Sequence, residues 1–250
     1  MNSLDVSPLA AGATDMSRHR EQNEDHFGVF PDLGLFVVTD GMSGASGSGE
    51  VVAKFAVEVM RDHFEATRDA HAGAHRLAEA VRLANRRVLE RTSTERWLSN
   101  GVCTLVALAL DAEGVHVVHI GDSRVYRLVG DALEQLTEDH SLLADAHRLG
   151  ISLPTDVPPE TFAKILVRAV GMQEEFVFEV QTFPARPRDV YLLSTDGLHD
   201  FVPSDEMAAV IRANPDLDVA VQSLLGRAIH HDAADNITCV LVVPNPRRDG

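Results

Sequence analysis

Cysteine is nearly absent from this chain of 250 residues: only Cys103 and Cys239 occur, both inside apolar, strand-like runs. Two thiols placed this way exclude a disulfide scaffold and read as buried structural groups. Aromatic residues make up 5% of the sequence, so aliphatic side chains must carry the core. No apolar run approaches the roughly 20 residues a membrane-spanning helix requires. Positive charge is also in deficit, with 22 Lys and Arg against 38 Asp and Glu and a net charge of -16. That balance opposes general attraction to nucleic acid or an anionic membrane and favours cations as ligands. The opening MNSLDVSPLAAGATD lacks the basic start and apolar segment of a signal peptide. A soluble cytoplasmic protein with neither nucleic-acid nor membrane partners is expected.

What is present is a switch of hydrophobic period without any long linker, low-complexity segment or internal repeat, which predicts one domain over 1–250. GLFVVT at 34–39 reads as a buried strand, and the glycine-rich GMSGASGSGE leads from it into a helix over 51–70. HRLAEAVRLANRRVLERT is a second amphipathic helix, with Leu77, Val81, Ala84 and Val88 on one face. GVCTLVALAL, GVHVVHIG, SRVYRLVG and ALEQLT predict an antiparallel meander. A loop-rich stretch with Pro154, Pro158 and Pro159 follows, then strands FVFEVQTF and DVYLLST, helices near 204–213 and 217–230, and a last strand, NITCVLVV. Long helices interrupting adjacent β segments indicate an α+β class.

Four aspartates stand where apolar runs meet turns: Asp40 after LFVVT, Asp122 after VHVVHIG, Asp196 after VYLLST and Asp235 before NITCVLVV. Taken singly, each is accounted for by the hydrogen bonds Asp makes to turn backbone. If the four meet in space, carboxylates converging at strand ends suit a hard divalent cation and the chain is a metal enzyme. Asp40 and Asp196 each precede a glycine, Gly41 and Gly197, and Gly41 lets a backbone carbonyl approach a ligand closely. NED at 23–25, with Arg20 just before it, adds two acidic groups and a guanidinium.

These blocks, in this order, resemble the PPM family, the metal-dependent type 2C serine/threonine protein phosphatases. RxxNED at 20–25, FVVTDGM, HIGDSRVYRL with QLTEDHS, LLSTDGLHD and DNITCVLVV carry the resemblance over nearly the whole chain. It implies an αββα sandwich of two antiparallel β-sheets flanked by helices, with a dinuclear Mn2+ or Mg2+ site at one end. By that resemblance Asp40 bridges two ions, Asp196 and Asp235 hold the first, Glu24 and the Gly41 carbonyl serve the second, directly or through water, and Asp122 joins Asp196 at a third, weaker one. Arg20 grips the substrate phosphate, a task suited to a planar guanidinium fork. Ions of such a pair, about 3.5–4 Å apart, activate water for in-line attack, so direct attack by a metal-bridging hydroxide is expected. The implied function is removal of phosphate from Ser or Thr on phosphorylated proteins by a monomeric, bacterial-type enzyme that opposes a Ser/Thr protein kinase. Residues 141–164 correspond to a flap bordering the cleft. Alternatives are a phosphatase of an anti-sigma-antagonist protein and a metal-binding module that docks phosphoproteins without turnover.

Two positions depart from the family pattern. DGMSGASGSGE carries about two more loop residues than the DGMGGH form of many bacterial relatives, and Met42 stands where eukaryotic relatives place a histidine proposed as general acid. His199 in DGLHD reads as a solvated turn histidine. His71 and His75 have helical spacing but no HExxH glutamate and read as exposed, while His230 and His231 close a helix at its C-terminal dipole. GASGSG lacks the Lys-Ser/Thr of a P-loop, and GMSGA does not fit GxSxG.

Overall fold

The apolar runs of this chain are continuous rather than alternating because both faces of its sheets are covered. A computed structural model describes residues 8–42, 47–68, 73–186 and 189–244. Its first half runs β1 (Leu9–Asp15), β2 (Asp25–Phe30), β3 (Leu35–Met42), α1 (Ser48–Ala66), α2 (Gly73–Thr94), β4 (Val102–Cys103), β5 (Leu105–Asp111), β6 (Gly114–Ile120), β7 (Arg124–Val129) and β8 (Ala132–Gln135). The second half runs α3 (Leu142–Leu149), α4 (Pro159–Ala163), β9 (Gln181–Phe183), β10 (Val190–Ser194), α5 (Asp196–His199), α6 (Ser204–Ala213), α7 (Leu217–His230) and β11 (Ile237–Val243).

The strands form two sheets, ordered β1-β11-β10-β7-β8 and β2-β3-β5-β6-β9, with β4 added to β3. Neighbouring strands are antiparallel throughout. Phe36, Val38, Val106, Leu108, Tyr191, Leu193, Val240 and Val242 fill the space between the sheets. Their sequence neighbours point the other way: Leu35, Val37, Leu105 and Ala107 meet the buried stripe of α1 and α2. On the opposite side Leu192, Ile237, Cys239 and Leu241 meet α6 and α7. The two-residue strand period therefore feeds three apolar layers, giving the αββα sandwich that the resemblance implied. Leu77, Val81, Ala84 and Val88, the face read from the sequence of α2, are all fully buried. Among the described residues, no helix is long and apolar enough to cross a membrane.

The sequence reading needs correction at four points. The meander expected from GVCTLVALAL to ALEQLT is instead two hairpins, β5-β6 and β7-β8, which lie in different sheets. The strand read at FVFEVQTF survives only as β9, because Asn85 Nδ2 captures the carbonyls of Gln173 and Glu174 at 2.9 and 3.1 Å and the chain packs Phe176, Phe178 and Val180 on the helical side. β1 escaped notice because LAAGATD holds few large apolar groups; a Cβ on Gly12 would lie 2.6 Å from the ring of Phe27. The stretch over 141–164 is not simply loop. Ser141 caps α3 by accepting from Ala144 N–H at 3.3 Å, and Pro159 opens α4, where its missing N–H costs no hydrogen bond.

Candidate metal centre

Strand pairing and close backbone packing bring the acidic residues to one end of the sandwich. Asp40, near the end of β3, is paired in register with Asp25 on β2. Thr104 braces Asp40 through two bonds: Asp40 N–H donates to Thr104 Oγ1 at 2.9 Å, and Thr104 N–H donates to the Asp40 carbonyl at 2.8 Å. The Thr104 hydroxyl also bonds Ser123 at 2.7 Å, next to Asp122 in the β6–β7 turn. Thr195 Oγ1 donates to Asp25 Oδ2 at 2.8 Å and accepts from Thr238 N–H at 3.0 Å, tying Asp25 to β11.

The glycine that follows each TD pair has a packing reason. A Cβ on Gly41 would lie 2.1 Å from the Gly49 carbonyl oxygen, and one on Gly197 would lie 1.9 Å from that of Asn236. These contacts let Asp40 and Asp196 sit against neighbouring backbone. Gly41 N–H donates to the Glu24 carbonyl at 3.1 Å, and Gly49 N–H donates to Glu24 Oε1 at 3.1 Å. A Cβ on Gly49 would fall 2.5 Å from Glu24 Oε1 and 2.7 Å from the Gly41 carbonyl oxygen. Both oxygens thus border the same small space. Asn236, 4% exposed, joins the approaches: its Oδ1 accepts from Glu24 N–H at 2.8 Å, and its Nδ2 donates to the carbonyls of Met16 and Gln22, both at 2.9 Å.

Electrostatics shows the same convergence. Burial pushes the Asp40 carboxyl well above its usual range, and repulsion from Asp25, Asp196, Asp235 and Asp122 pushes it further. Asp25 is raised by burial, partly countered by the Thr238 and Thr195 hydroxyls. Asp122 is raised by burial and by Asp196 to about 7. Asp196 is raised by burial despite the Lys164 ammonium, which stands 2.5 Å from Asp196 Oδ2 and 2.5 Å from Asp200 Oδ2. The other oxygen, Asp196 Oδ1, is buried with no hydrogen-bond partner among the described residues. Such an oxygen is costly unless a cation meets it.

The donor chemistry fits a hard divalent ion. Carboxylates and a backbone carbonyl suit Mg2+ or Mn2+, whereas zinc favours thiolate and imidazole. Cys103 faces Gly41 in register, but burial pushes its thiol far up, so no thiolate is supplied. Among the described residues, it is Asp111, Glu113 and His116 that bring three ligand atoms within 4.8 Å of one another. They form a closed turn: Asp111 already accepts from the N–H groups of Gly73, Glu113 and Gly114 and bonds the His116 ring.

Arg20 is exposed at the rim, its Nη2 2.5 Å from Asp235 Oδ2 and its Nε 3.3 Å from the Ala234 carbonyl. His199 departs from the expected solvated role. It is 9% exposed, its Nδ1 lies 2.9 Å from Ser194 Oγ, and burial holds its pKa well below the usual value. His75 is exposed, and His231 Nε2 bonds Glu206 at 2.9 Å. His71 and residues 43–46 of the glycine loop lie outside the described residues. Sequence reasoning assigned no role to Asp25, Asn236 or Lys164. The first two stand inside quoted motifs, RxxNED and DNITCVLVV, and could have been found; Lys164 has no local signal.

The Protein phosphatase 2C family model matches residues 14–225. The serine/threonine phosphatase stp of Listeria innocua is 31% identical over 95% of this chain and 96% of its own length. The serine/threonine phosphatase PstP/Ppp of Mycobacterium tuberculosis superposes with a TM-score of 0.84 at 25% identity, covering 95% of this chain and 99% of that one. The catalytic domain of PstP in complex with two manganese ions gives 0.81 at 26% identity, covering 95% and 98%. With its two-sheet sandwich and acidic end, the chain belongs to the protein phosphatase 2C family, whose members are metal-dependent phosphatases.

Proposed function

We propose that this serine/threonine phosphatase acts on phosphoserine and phosphothreonine of proteins, with Asp40, Asp196, Asp235, Glu24 and the Gly41 carbonyl holding two divalent cations. The observation that carries this reading is the group of mutually repelling carboxylates around Asp40, with the buried, unpartnered Asp196 Oδ1 among them. Mn2+ or Mg2+ held there would offset the phosphate dianion and lower the pKa of water, supplying a nucleophile at neutral pH. Asp25 orients from behind through Thr195, and Asp122 would add a third, auxiliary position with Asp196.

Arg20 would grip the phosphate. Its guanidinium has five N–H donors, and the described contacts to Asp235 and Ala234 leave some of them for phosphate oxygens. Asp235 fixes the fork while its own charge faces the cluster. His199 is neutral and bonded to Ser194, and Met42 carries no proton, so we assign the proton for the departing alkoxide to water. Opposition to a Ser/Thr kinase, a monomeric state, a cytoplasmic location and a substrate-selecting flap over 141–164 complete the reading.

Manganese-dependent hydrolysis of p-nitrophenyl phosphate tests it, with Asp40→Asn and chelation as controls. Both should abolish turnover, by at least about a hundredfold for a group acting on the reacting centre. Turnover surviving either treatment would remove the metal assignment, and phosphopeptide binding without turnover in the native chain would favour a docking module.

A further inference from the structure

The 141–164 segment reaches the acidic cluster through one long side chain. At its base the two ends are joined to each other by backbone: Leu142 N–H donates to the Ile165 carbonyl at 2.8 Å, and Val167 N–H donates to the His140 carbonyl at 2.9 Å. Beyond that base, α3 buries only Ala146 and α4 buries nothing, so apolar packing contributes little to holding the segment down. Arg168 approaches Asp145 of α3 at 3.6 Å, still near the base. Lys164, directly after α4, spans to the cluster, with its ammonium 2.5 Å from both Asp196 Oδ2 and Asp200 Oδ2.

We propose that Lys164 is a tethered counter-cation: it pins the flap to Asp196 and Asp200, and a divalent ion on Asp196 displaces it and frees the flap. The inference rests on Asp196 being a metal ligand. Its physics is charge competition at one carboxylate. The ammonium neutralises one oxygen of Asp196 while the other stays buried without a hydrogen-bond partner among the described residues. A divalent ion brings twice the charge and demands direct coordination by the same group, and two cations repel at that range. The exchange is feasible because the Lys164 side chain is 54% exposed on a flexible four-carbon stem, whereas that of Asp196 is 12% exposed. Asp200, exposed and outside the proposed ligand set, remains as the parking partner. Competition is reciprocal: whatever the ion does to the flap, the flap lysine does to ion affinity.

Two measurements on the full chain read both sides of this linkage. Calorimetric Mn2+ titration should show the weakest-binding site tightened by about fivefold or more in Lys164→Met, the lower end of ordinary coupling, and unchanged in Lys164→Arg. Amide hydrogen exchange over 142–163 should quicken on Mn2+ addition in the native protein. In Lys164→Met it should already be fast and insensitive to Mn2+. Circular dichroism checks that the variant is folded, which half-exposure of the side chain favours. A change in only one of the two measurements, or in neither, overturns the linkage while leaving the metal reading intact, provided Asp196→Asn loses Mn2+. If Asp196→Asn binds Mn2+ like the native chain, the metal reading fails and the linkage fails with it.

Discussion

Gly197 and Asn236 touch backbone to backbone, so that a Cβ on Gly197 would lie 1.9 Å from the Asn236 carbonyl oxygen. The contact brings the first turn of α5 against the start of β11 and with it Asp196 toward Asp235. Gly197→Ala must push the two apart. We expect a loss of about 1–3 kcal/mol, the range for overpacking a close contact, together with weaker Mn2+ binding. Urea denaturation and calorimetry read these effects; a variant that matches the native protein in both would show that the spacing is not limiting.

The Asn236 side chain makes three hydrogen bonds along one stretch, the β1–β2 connection: to the N–H of Glu24 and the carbonyls of Met16 and Gln22. Asn236→Ala leaves these groups without their side-chain partner in a buried place, at a cost of roughly 1–3 kcal/mol for an unsatisfied group. Because the same stretch carries Arg20 and Glu24, the Michaelis constant for phosphopeptide should rise with the instability. Asn236→Asp keeps the acceptor for Glu24 but not the two donors, and should fall between. Equal kinetics for all three proteins would confine Asn236 to a packing role.

Asp25 trades stability for chemistry. Its carboxyl is raised by burial and by its acidic neighbours, so the native metal-free chain holds a proton at pH values where the unfolded chain has released it. Stability is thus lost as pH rises from about 4, the usual carboxylate value, toward the raised one. Asp25→Asn should remove that loss, stabilising the metal-free protein near pH 7.5 by about 1 kcal/mol and by little near pH 4. Turnover should fall roughly 10–100-fold, as when a supporting partner of a metal site is removed. Melting curves at the two pH values decide it, and a destabilised variant at pH 7.5 would refute the charge argument.

His140 should set part of the acid limb of stability. Burial, the stacked His119 ring 4.4 Å away and Arg168 hold its pKa down to about 3, and its Nδ1 accepts from Gly121 N–H at 3.2 Å. A proton on that nitrogen would set donor against donor. Since the folded value lies below the unfolded one, stability is complete above pH about 6.5 and declines toward pH 3, by at most about 1.4 kcal/mol per pH unit for one group. His140→Asn keeps an acceptor without the titration and should flatten the slope between pH 6.5 and 5. An identical slope in urea midpoints would remove His140 from the account.

The sequence carried the fold wherever signals were local. The helices expected near 204–213 and 217–230 are α6 and α7, and DVYLLST and NITCVLVV hold β10 and β11. Strand-end aspartates were legible because an apolar run, a polar stop and a glycine coincide at one place. Residues 176–180 misled because their apolar period serves packing against helices while Asn85 takes the nearby backbone. His199 misled for a related reason: a turn-like DGLHD motif is here a buried helical turn, with Ser194 taking the imidazole nitrogen. Lys164 was invisible because its meaning depends on Asp196 and Asp200, which only tertiary folding brings near.

β1 lies beside β11, with the hydroxyls of Thr14 and Thr238 2.7 Å apart across 224 positions of chain. Pairing so distant in sequence makes a slow closing step, since the intervening chain must be ordered before the contact rewards it. During synthesis β2, β3, β5 and β6 can assemble with α1 and α2 while β1 waits without its ladder partner. Asp235 and β11 emerge after every other acidic residue of the cluster. If Asp235 holds a metal ion as proposed, a ribosome-bound fragment lacking that strand should not dephosphorylate, and activity should appear abruptly with the closing strand rather than grow along the chain.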